Sequence, residues 1–117
     1  MRKLTSLELA FLGDSIHTTF VRKWALENLD KPINEIHKVC ARLCSAKAQS
    51  LVLEKLELSE QEQTIVRRAR NAKQKHQAKN ADGADYKKAT AFEALIGHLY
   101  STEQTKRLQE ILQISII

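Results

Sequence analysis

The chain has 117 residues, the size of one domain, and 43% of them are hydrophobic, with one proline and three glycines; this composition excludes a disordered chain. No apolar run approaches the roughly 20 residues of a membrane span, and residues 1–6 lack the apolar stretch of a signal peptide, so no membrane association and a cytoplasmic location are expected. The net charge is +5, and Cys40 and Cys44 are the only cysteines, which excludes a disulfide-built scaffold.

The apolar periodicity predicts helix almost throughout. Thr5 and Glu8 form a capping box for a first helix over about 6–29, with Leu9, Leu12, Ile16, Phe20 and Trp24 at helical spacing. Gly13 interrupts that pattern, at a cost of about 1 kcal/mol relative to Ala, and so calls for close packing or function. Pro32 suits the first turn of a second helix, with Ile33, Ile36, Val39, Cys40 and Leu43 as its stripe. Ser45 caps a third, burying Ala48, Leu51, Val52 and Leu56. Ser59 and Glu62 form a second capping box, opening a helix toward Asn71. From 72 to 85 the apolar pattern vanishes, which predicts one long loop. A helix with Ala89, Phe92, Leu95, Ile96 and Leu99 follows, and residues 101–104 restart a last one through Leu108, Ile111 and Leu112. The expected fold is all-α, one domain over 1–117. Aromatics at 5% fit that better than a strand sandwich.

The basicity is local. Residues 67–88 hold eight Lys and Arg against Asp82 and Asp85, and the rest of the chain is close to neutral. A focused basic stretch suits a phosphate backbone; a solvated loop explains the charge equally well.

Two acids lie in apolar surroundings, Asp14 beside Gly13 and Glu93 before Gly97. A carboxylate there needs a cation, a metal or several hydrogen bonds. From two helices the pair could meet and bind Mg²⁺; each alone is more often explained by a buried arginine or a helix cap. His37, Cys40 and Cys44 share a helical face, yet without a second cluster they read as buried apolar cysteines. His17, one turn from Asp14, reads as a solvent-facing or packing residue.

The sequence FLGDSI at 11–16 resembles the signature of the ribonuclease III endonuclease domain, E-x-x-E-F-L-G-D-A/S-V, and FEALIGHLY at 92–100 resembles its second stretch. Ribonuclease III carries further acids where this chain has Ala10 and Thr90, and a Glu where it has Leu7. With those losses the chain is similar to the Mini-III subfamily. LCSAKAQ at 43–49, RRARNAK at 67–73 and TAFEALIG at 90–97 are similar to the V-S-A-K-A-Q, R-R-G-R-N-A-K and S-T-A-F-E-A-L-I-G of that subfamily. It often has Tyr-Glu where this chain has His17-Thr18, and G-T-V-P where this chain has residues 75–78.

The resemblance implies a two-fold helical homodimer with a valley for double-stranded RNA. It implies Asp14 and Glu93 as catalytic residues and ligands of Mg²⁺, which would activate water and stabilise the scissile phosphate. Products would carry 5′-phosphate and 3′-hydroxyl ends. No double-stranded-RNA-binding domain is expected, so Arg67, Arg70, Asn71, Lys73, Lys75 and Lys79 become the candidates for gripping the duplex. The implied substrate is precursor large-subunit (23S) ribosomal RNA, with a ribosomal protein as candidate helper. The other readings are a catalytically inactive relative that binds RNA or ribosomes, and a helical interaction module without nucleic acid; the basic segment speaks against the latter.

Overall fold

The computed structural model describes residues 2–72 and 83–117. Six α-helices make up the regular structure of these residues: α1 (Ser6–Asn28), α2 (Ile33–Leu43), α3 (Ala46–Lys55), α4 (Glu60–Arg70), α5 (Gly83–Ser101) and α6 (Thr105–Ile114). The all-α expectation holds.

The helix starts follow the local chemistry. Thr5 and Glu8 close a reciprocal capping box at α1, and Ser59 and Glu62 do the same at α4. Ser45 accepts the Ala48 amide and caps α3. Pro32 is the N-cap residue of α2, one position outside the first turn. Two boundaries differ from expectation. Helix α5 begins at Gly83, so Asp85 is in its first turn and not in a loop. Residues 101–104 do not open the last helix: α5 runs to Ser101, Glu103 takes a left-handed φ of 58°, and Gln104 precedes α6 without a side-chain cap. The hydroxyls of Ser101 and Thr102 are spent instead on the His98 carbonyl.

Helix α5 is the centre of the bundle. Nine of its residues are buried, including Phe92, Leu95, Ile96 and Leu99, as befits a helix apolar on most of its circumference. Helices α1, α3 and α4 pack around it and α6 closes one end through Leu108, Ile111 and Leu112. Val21, Ala25, Ile36 and Cys40 form a smaller cluster between α1 and α2. Arg107 of α6 ties α4 in place. Its Nε and Nη2 donate to the two Glu62 carboxylate oxygens at 2.9 and 3.0 Å, and Nη2 also donates to the Glu57 carbonyl at 2.8 Å.

The buried stripe of α1 differs from the expected one. Its centre is Leu9, Ala10, Gly13, His17, Val21 and Ala25, while Leu12, Ile16, Phe20 and Trp24 are half-buried flanks. Small residues sit at the centre because α5 comes within backbone contact. A Cβ on Gly13 would lie 1.7 Å from the Glu93 carbonyl oxygen, and one on Gly97 2.0 Å from that of Leu9. The pairing of residue 13 with 93 and of 9 with 97 makes the crossing antiparallel.

Candidate active site

The glycine crossing brings the two acids together. Asp14 follows Gly13 on α1, and Glu93 contributes the carbonyl against which Gly13 packs. The two carboxyl groups lie close enough for Asp14 to raise the proton affinity of Glu93. Asp14 is exposed and Glu93 half-buried, so desolvation falls mainly on Glu93. Burial pushes the Glu93 carboxyl up to about 8; the Asp14 charge and the Asp14 hydrogen bond act in the same direction, and a hydrogen bond with Gln49 opposes them. Without a cation, such a pair holds a proton between its members.

Around this pair stand three polar side chains. Thr18 donates to Asp14 Oδ1 at 3.4 Å, a long contact. Gln49 of α3 places its Nε2 3.0 Å from His17 Nδ1 and stands beside Glu93, whose ionised form it favours. Cys44 stands beside Thr18, and burial pushes its thiol up to about 11, so it stays neutral.

Two oxygen-donor carboxylates in contact, one of them resisting ionisation, suit a hard divalent cation that keeps several waters. Asp14 and Glu93 are the residues that would hold it. No group of three His, Cys, Asp or Glu able to hold a metal occurs among the described residues, so water and substrate oxygens would complete the shell. The positions where ribonuclease III has further acids are packed inside: Ala10 and Thr90 are 7% and 6% exposed. The cysteines behave as read from the sequence, Cys40 buried and Cys44 partly so, with His37 exposed. His17 takes the packing alternative, 1% exposed with its ring edge-on to Phe92 at 5.0 Å. Burial pushes its imidazole down to about 4.

Arg67, Arg70 and Asn71 are exposed at the end of α4, where Asn71 is the C-cap. Arg68 points elsewhere, into a depression shared with Lys3, Leu4 and His98. Lys73, Lys75 and Lys79 lie outside the described residues. Sequence reasoning missed Gln49, which is 2% exposed. A glutamine on a polar-looking helix face gives no periodic signal; its place at the end of LCSAKAQ is the one cue the chain offers.

Residues 7–104 match the family model described as Ribonuclease III domain, and the chain belongs to that family. Among its relatives, the Mini-ribonuclease 3 of Symbiobacterium thermophilum is 46% identical over 112 residues, covering 94% of this chain and 86% of that protein. The Mini-ribonuclease 3 of Brevibacillus brevis is 50% identical over 110 residues, covering 92% and 81%. A crystal structure of a protein from Fusobacterium nucleatum superposes with a TM-score of 0.88 at 35% identity, covering 98% of this chain and 93% of that one. Within the family the chain falls with the Mini-ribonuclease 3 proteins. It is an endoribonuclease of the ribonuclease III type, a divalent-metal-dependent class that acts on double-stranded RNA. No described helix is long and apolar enough to cross a membrane.

Proposed function

We propose that the chain is a single catalytic domain that cleaves double-stranded RNA with Mg²⁺ held by Asp14 and Glu93. The contact between these two carboxyl groups at the α1–α5 crossing carries the reading. Mg²⁺ bound there supplies a Lewis acid for the scissile phosphate and a water of lowered pKa. Asp14, exposed, faces the substrate side; Glu93, half-buried, would give up its proton to act as a ligand. With only two carboxylates to hold it, the metal would bind weakly without the oxygens of an RNA phosphate. Products carry 5′-phosphate and 3′-hydroxyl ends. The subfamily resemblance supports precursor 23S ribosomal RNA as the substrate, the cytoplasm as the compartment, and a ribosomal protein as helper. Arg67, Arg70, Asn71, Lys73, Lys75 and Lys79 grip the duplex; the exposure of the first three supports this.

The working unit is a two-fold homodimer. Phe11 is 84% exposed on α1 and Tyr100 54% exposed on α5, and an apolar groove lined by Leu12, Ile16, Tyr100, Leu108 and Leu112 runs nearby. A projecting phenylalanine beside an apolar groove suits a self-complementary interface. Phe11 is one turn from Asp14, so the interface and the acid pair are neighbours. Phe11→Glu is expected to sediment as a monomer.

The test of the function is cleavage of long duplex RNA in Mg²⁺ by the wild type, Asp14→Asn and Glu93→Gln. Loss of roughly a hundredfold or more in both variants, with duplex binding in Ca²⁺ retained, supports the assignment. Binding by all three without cleavage would select the inactive RNA-binding relative instead.

A further inference from the structure

The core face of α1 carries one ionisable side chain, His17, and the core face of α3 carries the amide of Gln49. They are 1% and 2% exposed. Buried polar groups at such depth are costly unless they are hydrogen-bonded. Gln49 Nε2 lies 3.0 Å from His17 Nδ1. An amide nitrogen only donates, so Nδ1 is the acceptor and the imidazole carries its proton on Nε2. Among the described residues Nε2 has no hydrogen-bond partner, so the polar fixation of the ring runs through Gln49. The amide has two N–H groups. One goes to His17, and the side chain also stands close enough to the Glu93 carboxyl to favour its ionised form.

His17, Gln49 and Glu93 therefore cluster where α1, α3 and α5 pack together. The ring is itself held by Phe92, edge-on at 5.0 Å, and Gln49 is held by the first turns of α3, where its own amide N–H donates to the Ser45 carbonyl at 2.9 Å. Glu93 needs such support. Asp14 repels it when both are ionised, and a free carboxylate would rotate away into water. The fixed Gln49 amide beside it favours the ionised carboxyl where it stands.

We propose that Gln49 is a positioning residue for Glu93, oriented from behind by His17, and that the pair presets the carboxylate for a divalent cation. This rests on the reading of Asp14 and Glu93 as the metal pair. Partners of this kind, one step behind a metal ligand, change metal affinity by about 10–100-fold when removed.

The experiment compares wild type, Gln49→Met, His17→Phe and Glu93→Gln. Mn²⁺ binding to the protein alone is read by electron paramagnetic resonance, and the Mg²⁺ concentration for half-maximal cleavage is read alongside. Melting temperature and duplex binding in Ca²⁺ monitor the fold. Gln49→Met keeps the length and loses both donors; about 10–100-fold weaker Mn²⁺ binding is expected, with a matching rise in the Mg²⁺ midpoint and much of the rate recovered at high Mg²⁺. His17→Phe, which keeps the ring packing, is expected to move both midpoints the same way by a smaller factor, and it decides the matter if Gln49→Met does not fold. Unchanged midpoints in the folded variants, with Mn²⁺ binding lost in Glu93→Gln, would overturn the inference and leave the metal pair standing. Wild-type Mn²⁺ binding in Glu93→Gln would overturn both.

Discussion

Gly13 and Glu93 meet backbone to backbone: a Cβ on Gly13 would stand 1.7 Å from the Glu93 carbonyl oxygen. The obstacle is main chain, which no side-chain rotation relieves. The site and the fold therefore share one contact. Gly13→Ala and Gly97→Ala are expected to cost about 3 kcal/mol or more, at or above the top of the usual range for overpacking, because the helices must separate. Urea denaturation measures the loss, and the variants that still fold should lose activity in proportion to the displaced carboxylates.

Raising the Glu93 carboxyl from 4.5 to about 8 has two consequences of opposite kind. In the metal-free protein, the native state keeps a proton that the unfolded chain releases between those values. Stability is fully present below about 4.5 and declines as pH rises through about 8. Metal binding runs the other way, since Mg²⁺ must displace that proton. The half-saturating Mg²⁺ concentration is expected to rise about tenfold per unit as pH falls below about 8. A Mg²⁺ titration of cleavage at several pH values checks this, and a flat midpoint would deny the proton to Glu93.

Glu62 does three jobs with two oxygens. It caps α4 by accepting the Ser59 amide at 3.0 Å, receives the Arg107 fork, and thereby joins α4 to α6. Burial pushes its carboxyl up, but the Arg107 hydrogen bonds and the Ser59 amide prevail and hold it below its ordinary value. Arg107→Met leaves that carboxylate, 7% exposed, without its cation, at a cost of about 3 kcal/mol. Because the native carboxyl is the stronger acid, the wild type keeps this contribution above its unfolded value and loses it as pH falls through the folded one. The melting temperatures of the two proteins should draw together as pH falls through the folded value of Glu62.

Arg67 and Arg70 make no ion pair among the described residues. Replacing both with Ala is expected to weaken duplex binding and to reduce the slope of log affinity against log salt by about one for each phosphate no longer neutralised. The melting temperature should hardly move. Filter binding across a salt series gives the slope, and an unaltered slope would remove these two from the interface.

Much of the fold is written in local sequence. Thr5, Ser45 and Ser59 announce three helix starts, because a cap depends on neighbours within one turn. Leu108, Ile111 and Leu112 announce the buried face of α6. On α1, size misleads: Leu12, Ile16 and Phe20 look like the core, yet Gly13 and Ala10 occupy it, since only small residues admit a helix at backbone distance. Leu51 belongs to the expected stripe of α3 and is 50% exposed, and Ile33, in that of α2, is 72% exposed. Gln49 takes an inward place near Leu51 because Glu93 and His17 reward a donor there. That is a tertiary reason, invisible to periodicity. The two acids are visible as acids in apolar company, and the glycines beside them as places for close approach; which backbone each glycine meets becomes legible only when the helices cross.

Helix α4 is anchored at one end and open at the other. Glu62 in its first turn is locked to α6, while Arg67, Arg70 and Asn71 project from its last turn and cap without touching that lock. Such an arrangement divides the chain by tolerance to change. The outer turn can drift, exchanging one cation for another as substrates change, at little cost to folding. The crossing of Gly13 on Glu93 has no such freedom, so under the proposed function the surface that would grip a substrate tolerates change far more readily than the contact that would cut it.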